Sequence, residues 1–359
     1  MTGGGVYPAI AVLQALKGKV DEVLWIGSQS GMEETLLKGY KLAYQSIPAA
    51  GLHGVGLRSL PVNFSQLYRG WRQARTILSS FKPHVLFFTG GYLGVPVALA
   101  GRHIPTVVFV PDIEPGLALK TILRGAGSIA ASCEAALTHL PRKRTIISGY
   151  PVRSELSRWQ RSIARQHFGI PDQEKTLLVF GGSKGARSIN QALLKNLPDL
   201  LKDMHIIHIS GKDNWDTALS AQEVLPEGLR SRYHAFPFLH EDMGAAFAAA
   251  DLAVCRSGAS TLGELPLFGL PAILVPYPHA WRYQLQNAQY LAQHGGARVL
   301  HDHDLDQEMV VVIQDIINNT EGLERMRTAM KQMASPQAAE QIAELILTSG
   351  QTSKGEAKW

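Results

Sequence analysis

The chain has 359 residues, 45% hydrophobic and 18% charged, with a formal net charge of +5. That composition excludes disordered and fibrous classes, and the length is enough for two domains that each bury a core. The positive balance favours anionic partners, but no Lys/Arg block of nucleic-acid type is present; the longest basic cluster, Arg142-Lys-Arg144, reads as a solvated loop. Cys133 and Cys255 both sit in apolar runs, so neither a disulfide framework nor a cysteine zinc site is expected, and a reducing cytoplasm fits. No stretch reaches the ~18 uncharged apolar residues of a membrane span, and the opening residues carry no signal-peptide pattern.

In chain order, Thr2-Gly3-Gly4-Gly5-Val-Tyr-Pro8 reads as a phosphate-type glycine loop entering a helix over 9–16. Such loops hang from a strand end that aims them. No strand precedes this one, so the natural protein is expected to carry roughly one more strand of five or six residues ahead of Met1. Short apolar runs then predict strands at 22–27, 84–89, 106–110, 128–132, 145–148, 176–180, 205–210, 251–255 and 272–276, with helices in nearly every interval. This β-α alternation, in runs too apolar for a half-exposed sheet, predicts parallel sheets covered on both faces. The pattern restarts at Ser148-Gly-Tyr-Pro-Val-Arg153, giving two doubly wound α/β domains, 1–152 and 153–335. A last amphipathic helix within 336–347, apolar at Ala339, Ile342, Ile346 and Leu347, is expected to pack back on the first domain, and 348–359 to form a disordered tail.

Within the first domain, Phe64, Leu67, Tyr68, Trp71 and Leu78 recur at helical spacing among Arg58, Arg69, Arg72, Arg75 and Lys82. Two readings stand: a core-facing stripe with a solvated basic face, or a peripheral membrane patch in which aromatics enter the interface and arginines meet anionic heads.

The second domain carries the chemistry. A strand runs through Val179-Phe-Gly-Gly-Ser-Lys-Gly-Ala-Arg-Ser-Ile-Asn190 into a glycine turn and a helix start. Gly181 and Gly182 allow close approach of an oxyanion, and Ser183 offers N–H and O–H donors. The spacing is neither a Walker loop nor a full Gly-x-Gly-x-x-Gly, so NAD binding has little support. Further on, Asp251-Leu-Ala-Val-Cys255 leads into Arg256-Ser-Gly-Ala-Ser-Thr-Leu-Gly-Glu264. That small-residue turn presents amides and the positive end of a helix dipole to a phosphate, while Glu264 is placed to accept two hydrogen bonds from a ribose diol. Phosphate donors beside a diol acceptor describe a nucleotide pocket; the alternative is an ordinary strand–turn–helix with a solvated first-turn acid. Arg153 either reaches a diphosphate or lies on the surface, and Gln284 and Asn287 either bond sugar hydroxyls or line their helix. Asp302-His-Asp304 follows a short strand and reads as a helix-capping cluster rather than a metal motif. His205 and His208 fall on opposite strand faces, and no metal site is expected.

Taken together, Thr2-Gly3-Gly4, Gly90-Gly-Tyr92, Pro115-Gly-Leu-Ala118, Gly149-Tyr-Pro-Val-Arg153, Gly181-Gly-Ser-Lys-Gly-Ala186, Asp242-Met243, Arg256-Ser-Gly-Ala259 through Glu264 and Gln284-x-x-Asn287-Ala288 resemble the MurG family of GT-B N-acetylglucosaminyltransferases. The likeness covers nearly the whole chain. It implies two Rossmann-like domains facing across a cleft and transfer of N-acetylglucosamine from UDP-N-acetylglucosamine to a polyprenyl-diphosphate-linked muramyl-peptide acceptor, without metal or other cofactor. By position it implies Glu264 on the ribose, Ser183 and Arg153 on the diphosphate, and Ala259, Ser260, Thr261, Leu262 and Gly263 around phosphates and ribose. Gln284 would hold the transferred sugar, Leu239 or a neighbour would read uracil through its backbone, and Thr2, Gly3 and Gly4 would serve the acceptor side. The aromatic-basic helix matches the region by which that family sits on the inner face of the cytoplasmic membrane, which makes the expected location cytoplasmic and peripheral, with no nucleic-acid partner.

Two departures fall on the acceptor side. Gly5 stands where the family's first loop ends in His, and Phe109-Val-Pro-Asp112 stands where it has His-Glu-Gln-Asn. The catalytic base is therefore expected at Asp112 or Glu114, on the loop after strand 106–110. Two rivals remain at this level: a UDP-sugar-binding protein that has lost its base, and a UDP-sugar 2-epimerase, for which no convincing set of acid/base side chains is present.

Overall fold

The computed structural model describes residues 3–28, 37–40, 42–49, 60–182, 185–280 and 283–356. The chain divides into two compact units, Met1–Val152 with Pro336–Trp359, and Arg153–Ser335.

In the first unit, β1 (Leu24–Ser28) pairs in parallel with β2 (Ala43–Ile47). A separate parallel sheet runs in the order β3 (Leu86–Phe88), β4 (Thr106–Val110), β5 (Ser128–Ala131), β6 (Thr145–Ile147). Every residue of β4 is buried, as a central parallel strand covered on both faces requires. Its core joins Val108, Val110 and Ile129 to Ala74, Ile77 and Leu78 of the helix Leu60–Phe81.

Two expectations are corrected here. The first helix is Gly3–Leu16, so the glycines coil into its first turn instead of forming a loop ahead of it. Val6 and Ile10, one turn apart, are both buried, and that burial draws the turn into the helix. The closing helix is Ala338–Glu356, so most of the stretch expected as a disordered tail is helical. It buries Ile342, Ala343 and Ile346 against the first unit, touching the helix Gly3–Leu16, β4 and β5. Gly350 lies against His84 and Val85, and Ser349 Oγ is 3.4 Å from Ser128 Oγ, which gives the added turns something to pack on.

The second unit is one parallel six-stranded sheet: β7 (Thr176–Phe180), β8 (His205–Ile209), β9 (Tyr233–Phe236), β10 (Leu252–Cys255), β11 (Ala272–Leu274) and β12 (Ala297–Val299), in the order β12-β11-β10-β7-β8-β9. Chain order runs outward from β7 through β8 to β9, then returns to β7's other side as β10. A buried charge cluster braces the amino ends of the two central strands. Asp251 accepts from Arg161, from Arg165 at 2.8 Å, from Arg327 and from the Thr176 N–H at 3.0 Å. Arg165 is fully buried and also donates to the carbonyls of Ala249, Pro171, Asp172 and Glu174. Breaking such a buried pair by removing one partner typically costs about 3–5 kcal/mol, which fixes the register of β7 and β10.

β2 and β9 fall outside the strands expected from sequence. Both are edge strands with one partner each. The exposed and half-buried positions of Ala-Tyr-Gln-Ser-Ile and Tyr-His-Ala-Phe lack the continuous apolar run that marks the inner strands. Among the described residues, no helix is long and apolar enough to cross a membrane.

Candidate functional site

All six strands of the second unit end on the same edge of the sheet, and the order reverses between β7 and β10. A crevice opens outside the strand ends at such a switch point. The two loops that border it are the two singled out by sequence.

After β7, the loop 181–185 is shaped by its glycines. Gly182 and Gly185 adopt φ of +85° and +79°, and a methyl on Gly185 would collide with the Ser210 carbonyl. A side chain on Gly181 would strike Ala186, the residue before the helix Arg187–Lys195. Ser183 and Lys184 lie outside the described residues.

After β10, Arg256 and Ser257 lead into the turn that starts the helix Thr261–Phe268. The sequence reading treats the whole turn as free amides, and the structure narrows this. The N–H groups of Thr261, Leu262 and Gly263 donate to the carbonyls of Gly258, Ala259 and Ser260 at 3.0–3.1 Å. Among the described residues, the amides ahead of this coil, on Gly258, Ala259 and Ser260, donate to no backbone carbonyl. They are the donors available to an anion, with the helix dipole behind them.

Glu264 lies on this helix, one turn in. Burial pushes its carboxyl above the ordinary glutamate range, while a hydrogen bond from Ser260 and the charge of Arg153 pull it back down. Arg153, which opens the short helix Ser154–Ser157 and contacts Glu155 at 3.5 Å, is therefore brought into Glu264's electrostatic neighbourhood. Beneath them Cys255 is fully buried, and burial with the nearby Glu264 charge raises its thiol, which stays protonated.

Ser257 donates from Oγ to the Gln284 carbonyl at 2.8 Å, and Asn287 donates back to the Ser257 carbonyl at 3.2 Å, so the helix Tyr283–Gln293 is tied to this turn. The Gln284 side chain accepts the Tyr277 N–H at 2.9 Å, which engages its carbonyl oxygen and holds the loop after β11. Leu239 is half-buried in the loop after β9, where Phe238 and His240 meet edge to face.

The remaining sequence candidates belong to the other unit. Gly3 and Gly4 begin the helix Gly3–Leu16, and Thr2 lies outside the described residues. Asp112 is half-buried on the loop after β4; Glu114 is buried and pairs with Lys120 at 2.9 Å. Phe109 is fully buried within β4, its ring against Tyr150. The stripe on helix Leu60–Phe81 divides: Leu78 is core, whereas Phe64 and Tyr68 are 59% and 60% exposed.

One residue was misassigned from sequence. Asp302 caps no helix; the helix Leu305–Asn318 starts from Asp304, which makes no side-chain capping bond. Asp302 instead bonds Arg256 and Ser188. Sequence offers no signal for a pairing of residues 46 apart beyond the fact that both follow strands that end on the same sheet edge.

The chain matches the model of the glycosyltransferase family 28 N-terminal domain over residues 2–131 and that of the C-terminal domain over residues 176–342. It is 38% identical to a UDP-N-acetylglucosamine–N-acetylmuramyl-(pentapeptide) pyrophosphoryl-undecaprenol N-acetylglucosamine transferase of Roseiflexus sp. (strain RS-1), over 97% of this chain and 93% of that one. The chain belongs to glycosyltransferase family 28, the family of MurG. The protein of the same description from Desulforudis audaxviator is 36% identical over 96% of this chain and 95% of its own length. Among solved structures, MurG of Acinetobacter baumannii superposes with a TM-score of 0.70 at 25% identity over 97% of each chain. A UDP-GlcNAc 2-epimerase of Neisseria meningitidis shares the fold, at TM-score 0.65 and 14% identity, covering 96% of each chain. The architecture of this family 28 chain is thus GT-B.

Because the folded state holds a proton on Glu264 at a pH where the unfolded chain has lost it, this group's contribution to stability declines as pH rises from the ordinary glutamate range through the raised value. Glu264→Gln is expected to remove that slope from urea-derived stability measured across acidic pH, and Ser260→Ala to move it to higher pH. A slope unchanged in Glu264→Gln contradicts the assignment.

Proposed function

We propose that this chain is an inverting transferase that moves N-acetylglucosamine from UDP-N-acetylglucosamine to a lipid-linked muramyl-peptide acceptor. The observation that carries this reading is the arrangement at the β7/β10 switch point. Amides of Gly258, Ala259 and Ser260, the carboxylate of Glu264 and the guanidinium of Arg153 gather in one unit of a chain that resembles transferases of that description along its length. The amides and Arg153 take up the negative charge that grows on the departing diphosphate, a task for pre-aimed dipoles in a water-poor site. Glu264 accepts from the ribose hydroxyls. The amide nitrogen of Gln284 donates to the sugar while its oxygen holds Tyr277. The loop at Leu239 meets the base, and Ser183 assists at the phosphates.

The acceptor oxygen attacks the anomeric carbon, the bond to UDP breaks with inversion, and the hydroxyl proton passes to a base. Asp112 is the better base. Glu114 is engaged by Lys120, and a carboxylate paired with an ammonium loses that pairing when it takes up a proton, which makes it the weaker base. Thr2, Gly3 and Gly4 lie on the acceptor's side of the reaction. The exposed Val62, Phe64 and Tyr68, with Arg69, Arg72 and Arg75 exposed on the same helix, form a surface for the inner face of the cytoplasmic membrane. Tyr68 stacks on Trp71 at 5.9 Å and Arg75 lies over the Trp71 ring, which stiffens the patch.

A second reading is favoured by the buried Phe109 where the family motif places His: a UDP-sugar-binding protein without turnover. One assay separates them. Incubated with UDP-N-acetylglucosamine, the protein is expected to release UDP only when a lipid-linked muramyl-peptide acceptor is added, and Asp112→Asn to lower that rate by about 10²-fold or more. UDP binding without acceptor-dependent release establishes the non-catalytic reading, and unchanged turnover in Asp112→Asn removes Asp112 as the base. In sedimentation with vesicles containing anionic lipid, replacing Phe64 and Tyr68 by serine is expected to reduce bound protein several-fold; unchanged sedimentation rules the patch out.

A further inference from the structure

At the carboxyl edge of the second sheet, a single guanidinium on the segment after β10 reaches segments that follow three other strands. Arg256 stands directly after β10 with its side chain 12% exposed. Its Nη1 bonds Asp302 Oδ1, on the loop after β12, and donates to the Val275 and Pro276 carbonyls, after β11, at 3.3 and 3.5 Å. Its Nη2 donates to Ser188 Oγ at 2.8 Å, on the helix that follows the β7 glycine loop. Ser188 Oγ in turn donates to the same Asp302 oxygen at 2.8 Å, closing a triangle. The guanidinium also lies over the Tyr277 ring at 5.3 Å.

The described residues of the two segments that border the switch point are mostly small. Gly258 has no neighbour where a Cβ would stand, and the β7 loop depends on two glycines at positive φ. Loops made of small residues hold amides in place only if something outside them fixes their ends. Arg256 and Ser257 supply this for the β10 turn from immediately ahead of Gly258, and Ser188 ties that turn to the helix that follows β7.

We propose that Arg256, Asp302 and Ser188 form a latch that ties the phosphate-facing turn after β10 to the start of the helix after β7, with Arg256 as a positioning residue and Asp302 as its anchor. This rests on the reading of that site as a UDP-sugar site. The planar fork makes the assignment specific. Lysine keeps the charge but cannot reach Asp302, Ser188 and two carbonyls at once.

The test uses the full-length protein, UDP titrations by calorimetry and UDP-N-acetylglucosamine kinetics. Arg256→Lys and Asp302→Ala are each expected to weaken UDP binding and raise KM by about tenfold with kcat within about twofold. The double variant should be no worse than Arg256→Lys alone, because both changes break one unit. Ser188→Ala, which leaves the ion pair in place, should weaken UDP binding about threefold, and Ser188→Thr, which keeps the hydroxyl, should restore it. Additive losses in the double variant would overturn the latch, as would single variants that bind UDP as wild type does. Should Arg256→Lys fail to fold, Ser188→Ala decides alone, and wild-type affinity in that variant overturns the proposal. If the wild-type protein itself binds no UDP, it is the donor-site reading that has failed, and the latch falls with it.

Discussion

A parallel strand that hands the chain to a helix leaves its last carbonyls and the helix's first amides on one edge of the sheet. In the second unit this happens for every strand, and between β7 and β10 the crossovers depart to opposite sides. No helix of the sheet's own crossovers lies over that point, so the segments after β7 and β10 meet there, each at the start of a helix. The glycines at 181, 182 and 185 and the small residues from 257 to 260 are what a backbone needs in order to be approached there. In the proposed reading the charge chemistry of the site comes mainly from the main chain, and its side chains have secondary tasks: Glu264 to accept, Arg153 to compensate, Gln284 to orient.

Main-chain donors are effective only when they cannot rotate away, and the unit spends buried polar contacts at both ends of the sheet to prevent it. At the amino ends, Asp251 gathers three arginines and an amide between β7 and β10. Near the middle, His208 bonds Tyr233 at 2.7 Å and Asn190 at 3.1 Å, and Asn190 donates to the Ser210 carbonyl that backs Gly185. Burial holds His208 neutral, with its pKa pulled down to about 3, so this network does not change charge near neutrality. At the carboxyl ends stands the Arg256 triangle. Each of the three includes a link from β7 or the helix after it, through Thr176, Asn190 or Ser188, to a segment of another strand, and leaving a buried polar group there unpaired would cost about 1–3 kcal/mol.

Much of this was legible in the residues. Inner strands announce themselves because burial on both faces demands continuous apolar runs, and β4, β7 and β8 match the expected ranges to within a residue. The strand–turn–helix at 251–264 was legible for the same reason, with small residues standing where the chain must bend. The edge strands β2 and β9 were not, since their exposed and half-buried positions break the apolar run, whereas the edge strands β1, β3 and β6 overlap the expected ranges. The first glycines were misread because Gly-Gly-Gly signals a loop locally, whereas the burial of Val6 and Ile10 is decided by tertiary packing. The last helix was cut short for a similar reason: Ser349 and Gly350 look like a frayed end until the surface they rest on is known. Asp302 was beyond reach, because its partners are brought to it only by the closing of the sheet.

The central claim is that main-chain amides and one carboxylate in the second unit hold a uridine diphosphate. Isothermal calorimetry of UDP binding to the wild-type protein and to Glu264→Ala, at neutral pH, tests it most directly. The account predicts measurable binding that weakens at least about tenfold in the variant, the equivalent of losing one or two charge-assisted hydrogen bonds. Absence of UDP binding by the wild type, or equal binding by both proteins, would contradict it.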